Sequence, residues 1–145
     1  MSLRTQFKTD QRKIENGFWY DVKDAPNTDG TIPGFRLARM SVSNPKYAKA
    51  IQAIAEQQAN AEMSGVRPSD DADETRGVEM FCDVVCLEWR NFQPEDDGCV
   101  MEYSRKNALT VFADKAWFDL RLHLQLKAQE RAGFLAEKIA KTVKN

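Results

Sequence analysis

Histidine and cysteine are scarce in this chain, and their scarcity limits the chemistry that it can support. His123 is the single histidine among 145 residues. A Ser-His-Asp or Cys-His apparatus would have to use it, yet it lies in a leucine-rich segment without a glycine elbow or other nucleophile motif. The three cysteines, Cys82, Cys86 and Cys99, are an odd number without the spacing of a secreted framework, which favours reduced thiols.

Long apolar runs and a signal-peptide pattern are also missing, which predicts a soluble, intracellular protein without a membrane partner. The length suits a single domain over residues 1–145, with 42% apolar and 30% charged residues. The formal net charge of −1 conceals an asymmetry. Residues 64–102 carry three basic and eleven acidic groups, whereas residues 103–145 carry nine and four. This pattern is typical either of electrostatically steered association or of an ordinary solvated surface.

Two strand-like runs stand near the N-terminus. Side chains alternate over residues 18–23 and 34–40, which predicts an antiparallel hairpin, with a long, flexible connection over 24–34. Trp19 falls on the polar face beside Arg36. It is therefore either covered by a helix, as an ordinary core residue, or left as an aromatic anchor for a partner. Residues 3–7 are expected to add a third strand, and an open sheet edge predicts a homo-oligomer.

About four helices are expected after this hairpin, giving an α+β, mainly helical domain with a small N-terminal sheet. Asn44 before Pro45 is the capping pattern of a helix that runs to about Met63. A flexible loop over 65–73 leads to a second helix, capped by Asp73 and ending near residue 91. Its predicted buried stripe contains Val78, Phe81, Cys82, Val85 and Trp89. An excursion over 92–104 with a short strand at 99–103 precedes a third helix, capped by Ser104 and ending at Ala113.

The segment from residue 115 onward is ambiguous, because leucines alternate with polar residues between 118 and 126 as in a strand. Its richness in Leu and Ala, without β-branched residues before Ile139, favours a helix. Such a helix has two apolar faces, one with Phe118, Leu122 and Leu126, the other with Trp117, Leu120, Leu124 and Ala128. One face would enter the core and the other would need cover. We expect Trp19, Arg36, Leu120 and Leu124 to contact a partner.

Three other kinds of site were weighed against more ordinary interpretations. The pairs Glu79/Asp83 and Asp96/Asp97 suit a metal-dependent enzyme, and also a solvated face and a turn. Cys82, Cys86 and His123 suit zinc, but the cysteines lie on the predicted buried stripe without a fourth ligand. Lys138, Lys141 and Lys144 suit nucleic acid, but also complement a helix C-terminus. We predict no cofactor, no metal, no nucleic-acid partner and no enzymatic activity.

An ordered series of short motifs resembles the bacteriophage tail assembly chaperone family. The series is GFWYDV, GFRLARMS, NPKYAKA, EWRNF, a DDG turn, EYSRKNAL, and an A-x5-F that ends at Phe134. The resemblance spans Phe7 to about Phe134 and rests on the order and spacing of the set. The connection over 24–34 and the loop over 65–73 depart from the family pattern.

Membership of that family would imply a non-enzymatic assembly factor in the cytoplasm of a bacterial host. Such factors bind the long, helical tape measure protein and help tail tube subunits gather around it, so both would be partners. A mainly helical domain that covers apolar patches of a helical client agrees with this function. The alternative within the same class is a generic protein-interaction adaptor of phage origin.

Overall fold

Six α-helices and a three-stranded antiparallel sheet make up the described part of this computed structural model, residues 2–66 and 69–136. The helices are α1 (Leu3–Phe7), α2 (Gln11–Asn16), α3 (Pro45–Met63), α4 (Asp70–Met80), α5 (Arg105–Ala113) and α6 (Phe118–Gln129). The strands are β1 (Phe18–Asp21), β2 (Gly34–Leu37) and β3 (Cys86–Arg90). This arrangement confirms the α+β class, with two more helices than expected.

The predicted hairpin is present, but the third strand comes from another part of the chain. β1 and β2 pair with Trp19 opposite Arg36, in the expected register, although both strands are shorter than predicted. β3 pairs with the other edge of β2, so the sheet order is β1-β2-β3. Residues 3–7, which we expected to form a strand, are α1. Ser2 caps that helix by accepting a hydrogen bond from the Thr5 amide.

The second predicted helix is wrong at both ends. Ser69, rather than Asp73, caps α4 by accepting from the Ala72 amide. After Met80 the chain forms one π-helical turn (Phe81–Val85) and passes directly into β3. The predicted stripe is buried as expected, but its last member, Trp89, lies in a strand and donates its indole N–H to the Met101 carbonyl at 2.8 Å.

The capping patterns predict the starts of two helices correctly. Asn44 accepts from the Lys46 amide and α3 spans the predicted residues. Ser104 accepts from the Asn107 amide at the start of α5. The short strand expected at 99–103 does not form. The Met101 amide donates one backbone hydrogen bond to the Phe92 carbonyl, and a single bond of this kind does not make a strand ladder.

The connection between β1 and β2 is held against the turn that follows β3. The Asn27 side chain donates to the Asn91 carbonyl at 2.7 Å, and Asn91 donates back to the Ile32 carbonyl at 3.1 Å. Farther along, the Thr28 amide donates to Asp96 at 2.8 Å. These bonds anchor the connection at its tip. Of the loop predicted over 65–73, the part from Asp70 onward belongs to α4, and residues 67 and 68 lie outside the described residues, as do the three C-terminal lysines.

The core lies between the inner face of the sheet and the helices that follow it. Its largest fully buried side chains include Phe35, Phe81, Phe112, Leu37 and Leu124. The rings of Phe81 and Phe112 meet edge to face with centroids 4.9 Å apart. A 3-10 turn, Lys115–Trp117, leads into α6, and a second one, Ala132–Phe134, places Phe134 against Phe18. The ambiguous segment is therefore a helix, α6, as the sequence favoured over a strand. This helix covers the core on the side away from the sheet.

Candidate protein-interaction site

α6 turns one of its two apolar faces into the core and the other towards solvent. Leu124 and Ala128 are fully buried, and Leu120 packs against the core. The opposite face, here called the α6 stripe, consists of Phe118 (41% exposed), Leu122 (44%) and Leu126 (52%). The expected role of Leu124 in partner binding is therefore wrong, because Leu124 offers no surface to a partner. Leu120 is half-buried, and its role in partner binding stays a prediction. The α6 stripe offers the exposed apolar surface of this helix.

A buried arginine lies on the core-facing side of α6 and bears on which of its two apolar faces enters the core. Arg121 is 5% exposed and lies on the core side of α6, where it forms an ion pair with Glu74 of α4. Its guanidinium is 5.2 Å from the ring centroid of Phe118, at the edge of the stripe. A buried charge needs a partner, and Glu74 supplies one for Arg121 in this orientation of α6. Hydrophobic periodicity does not predict a core face that contains an arginine.

An open cavity of about 360 Å³ adjoins the first residue of the stripe. It is lined by Glu74, Phe112, Ala113, Asp114, Lys115 and Phe118. The aromatic rings give it an apolar wall and the charged groups give it a polar rim, a combination that suits an anchoring side chain of a partner. The sequence alone does not indicate this cavity, because its residues come from α4, α5, α6 and the 3-10 turn before α6, and share no motif.

The outer face of the sheet carries the other two predicted partner-binding residues, Trp19 and Arg36. Arg36 forms an ion pair with Glu88 of β3, at 3.3 Å. Trp19 is half-buried, and the guanidinium of Arg90 lies over its ring, 4.3 Å from the centroid. Trp19 is therefore not part of the core. It is covered by a cation–π contact rather than by a helix.

Gly34 makes this cross-strand arrangement possible. Arg90 reaches across β2 to Asp21 of β1, with 2.9 Å between nitrogen and oxygen. A Cβ atom at Gly34 would be 2.5 Å from the Asp21 oxygen and 3.0 Å from the Arg90 Nε. The missing side chain thus leaves the space in which the ion pair forms. With its charges already paired, this face offers a partner less unsatisfied surface than the α6 stripe does.

Asp83 and Asp96, two of the acidic groups considered as metal ligands, have protein partners, and the thiol of Cys82 is buried. Asp83 accepts two hydrogen bonds from Arg105, at 2.7 and 3.1 Å. Hydrogen bonds from Thr28 lower the pKa of Asp96. Burial raises the pKa of Cys82 to about 12. Across residues 2–66 and 69–136, no cluster of three or more His, Cys, Asp or Glu side chains is placed to hold a metal ion.

His123 and the cysteines are not brought together as a zinc site. The Nε2 atom of His123 is 2.7 Å from the Tyr20 hydroxyl, with which it shares a hydrogen bond. All three cysteines are free thiols; Cys82 and Cys86 are buried and Cys99 is exposed. Burial also raises the pKa of Cys86 well above its ordinary value. The two inner thiols are therefore protonated core side chains.

No protein-family model matches the chain, and no curated protein or solved structure shows a significant match to it. The resemblance of its motifs to tail assembly chaperones thus stays a prediction. Among the described helices, none has both the length and the apolar character needed to cross a membrane.

Proposed function

We propose that the protein is a non-enzymatic assembly chaperone that binds a long helical phage tail protein of the tape measure kind. The observation that carries the proposal is the α6 stripe together with its adjoining cavity. Three apolar side chains at i, i+4 and i+8 form a row that matches the apolar face of another helix. The ordered motifs of the sequence point to the same client.

The stripe is large enough to matter for binding and small enough to leave the free chaperone soluble. Covering the exposed half of three such side chains contributes roughly 2–4 kcal/mol before the costs of association. The neighbouring cavity would add one buried anchor from the client, since binding energy concentrates where a side chain fills a desolvated pocket. The client would be bound in the bacterial cytoplasm during tail assembly, with the tail tube protein as a second partner.

The proposal is tested by co-expressing the chain with the long helical protein encoded near it and measuring co-purification and client solubility. Leu126→Gln should reduce both. Val100→Gln is the matched control, because Val100 is 51% exposed and Leu126 is 52% exposed, so an apolar side chain of similar fractional exposure is replaced away from α6. The control should retain the client.

Two outcomes would count against the proposal. Failure of the unmodified chain to co-purify with any long helical protein would remove the client. Equal loss of binding in Leu126→Gln and Val100→Gln would remove the α6 stripe as the site. Capture of a compact, globular partner through the stripe would instead support the adaptor alternative.

A further inference from the structure

Helix α3 stands largely free of the rest of the protein. It has 19 residues, none of them buried, and is about 28 Å long. Its main contact with another element is the π-helical turn. The side chains on its inner side are only half-buried: Tyr47, Ala48, Ala50, Ile54 and Ala61. In proteins most of the stability of a helix comes from the packing of an apolar face, and the outer side of α3 has no such packing within this chain, so it is open to a partner.

The exposed side carries a narrow apolar row with charged groups along one flank. Ile51, Ala55 and Ala59 follow one another at intervals of four residues, and all three are exposed. Lys49 and Glu56 are seven residues apart and lie on the same flank of this row. Glu56 receives a long side-chain bond from Gln52, at 3.4 Å, and within the described residues Lys49 forms no ion pair.

The charged side chains of α3 are placed unfavourably with respect to the helix dipole. Its two lysines, Lys46 and Lys49, stand in the first half, and its two glutamates, Glu56 and Glu62, stand in the second. The first turn contains no acidic residue and the last turn no basic one. Positive charge near a helix N-terminus and negative charge near its C-terminus are both unfavourable. A second helix lying antiparallel would compensate both ends.

We propose that α3 pairs with α3 of a second copy of this chain, antiparallel and about a two-fold axis between residues 52 and 53. In that arrangement Lys49 of each copy faces Glu56 of the other, while Ile51 and Ala55 pack across the axis. The antiparallel arrangement brings this flank of one copy beside the same flank of the other, whereas a parallel pair puts the two flanks on opposite sides of the interface, so the Lys49–Glu56 ion pairs form only in the antiparallel one. This inference goes beyond the proposed function and does not rest on it.

Charge reversal with complementation tests the pairing. The unmodified chain should be a dimer by sedimentation and by light scattering after gel filtration in low salt. Lys49→Glu alone and Glu56→Lys alone should each weaken the dimer at least about tenfold, because both symmetric ion pairs become repulsive. An equimolar mixture of the two variants should form a heterodimer. The double variant Lys49→Glu/Glu56→Lys should recover the homodimer.

Three results would overturn the inference: a monomer across a wide concentration range, a dimer unaffected by either reversal, or a mixture that stays monomeric. Circular dichroism of each variant separates loss of pairing from loss of folding. Leu126→Gln, the variant of the α6 stripe, should leave the dimer intact. Lys49→Glu should keep the client, so the failure of one proposal is distinguishable from the failure of the other.

Discussion

Leu124→Ala and Leu122→Ala make the same chemical change on opposite sides of α6, and their costs should differ severalfold. Leu124 has no exposed surface, so its truncation leaves a cavity and should lower the free energy of unfolding by about 2–5 kcal/mol. Leu122 keeps 44% of its surface in solvent. Its truncation removes little burial and introduces a better helix former, so we expect a loss below about 1 kcal/mol.

Urea denaturation followed by circular dichroism at the helix band measures both variants. With a slope of about 2 kcal/mol per molar urea, Leu124→Ala should move the midpoint down by about 1–2.5 M and Leu122→Ala by less than about 0.5 M. Unchanged slopes would show that the denatured states are comparable. Equal midpoints, or a larger shift for Leu122→Ala, would mean that α6 is rotated and that the stripe described above is the core face.

Gly133→Ala should destabilise the fold by about 1–3 kcal/mol, because the added Cβ would lie 2.3 Å from the Phe18 ring. In a double-mutant cycle, a smaller cost in a Phe18→Ala background would identify this contact as the cause. Thr28→Val should raise the pKa of Asp96 towards 3.8, as measured by NMR titration. Because the folded pKa is depressed, the stability it contributes is present above the unfolded pKa and is lost as pH falls through the folded one. Cys99 alone should react with a thiol reagent in the native protein, and all three thiols after unfolding.

Helix starts were predictable because a cap depends on a few neighbouring residues. Asn44 and Ser104 each bond an amide two or three positions away, so the sequence contains both partners of the interaction. β3 depends instead on β2, which lies about fifty residues earlier. The spacing from Val78 to Trp89 suits a helical stripe, and only the neighbouring edge of β2 turns its last part into a strand.

The candidate site was predictable only in part, for the same physical reason. The two apolar faces of α6 follow from helical periodicity, but the choice between them depends on the ion pair of Arg121 with Glu74, 47 positions away. The Trp19 and Arg36 register was also correct. The cover over Trp19 was not predictable, because Arg90 comes from a segment that was expected to be a helix.

The π-helical turn between α4 and β3 has a mechanical consequence. A helix rises about 1.5 Å per residue and a strand about 3.3 Å, and most proteins separate the two with a loop that absorbs relative motion. Here the change occurs within five residues whose side chains Phe81, Cys82 and Val85 are buried. There is no slack between the two elements. A tilt of α4 is therefore passed directly to β3 and not absorbed by a loop.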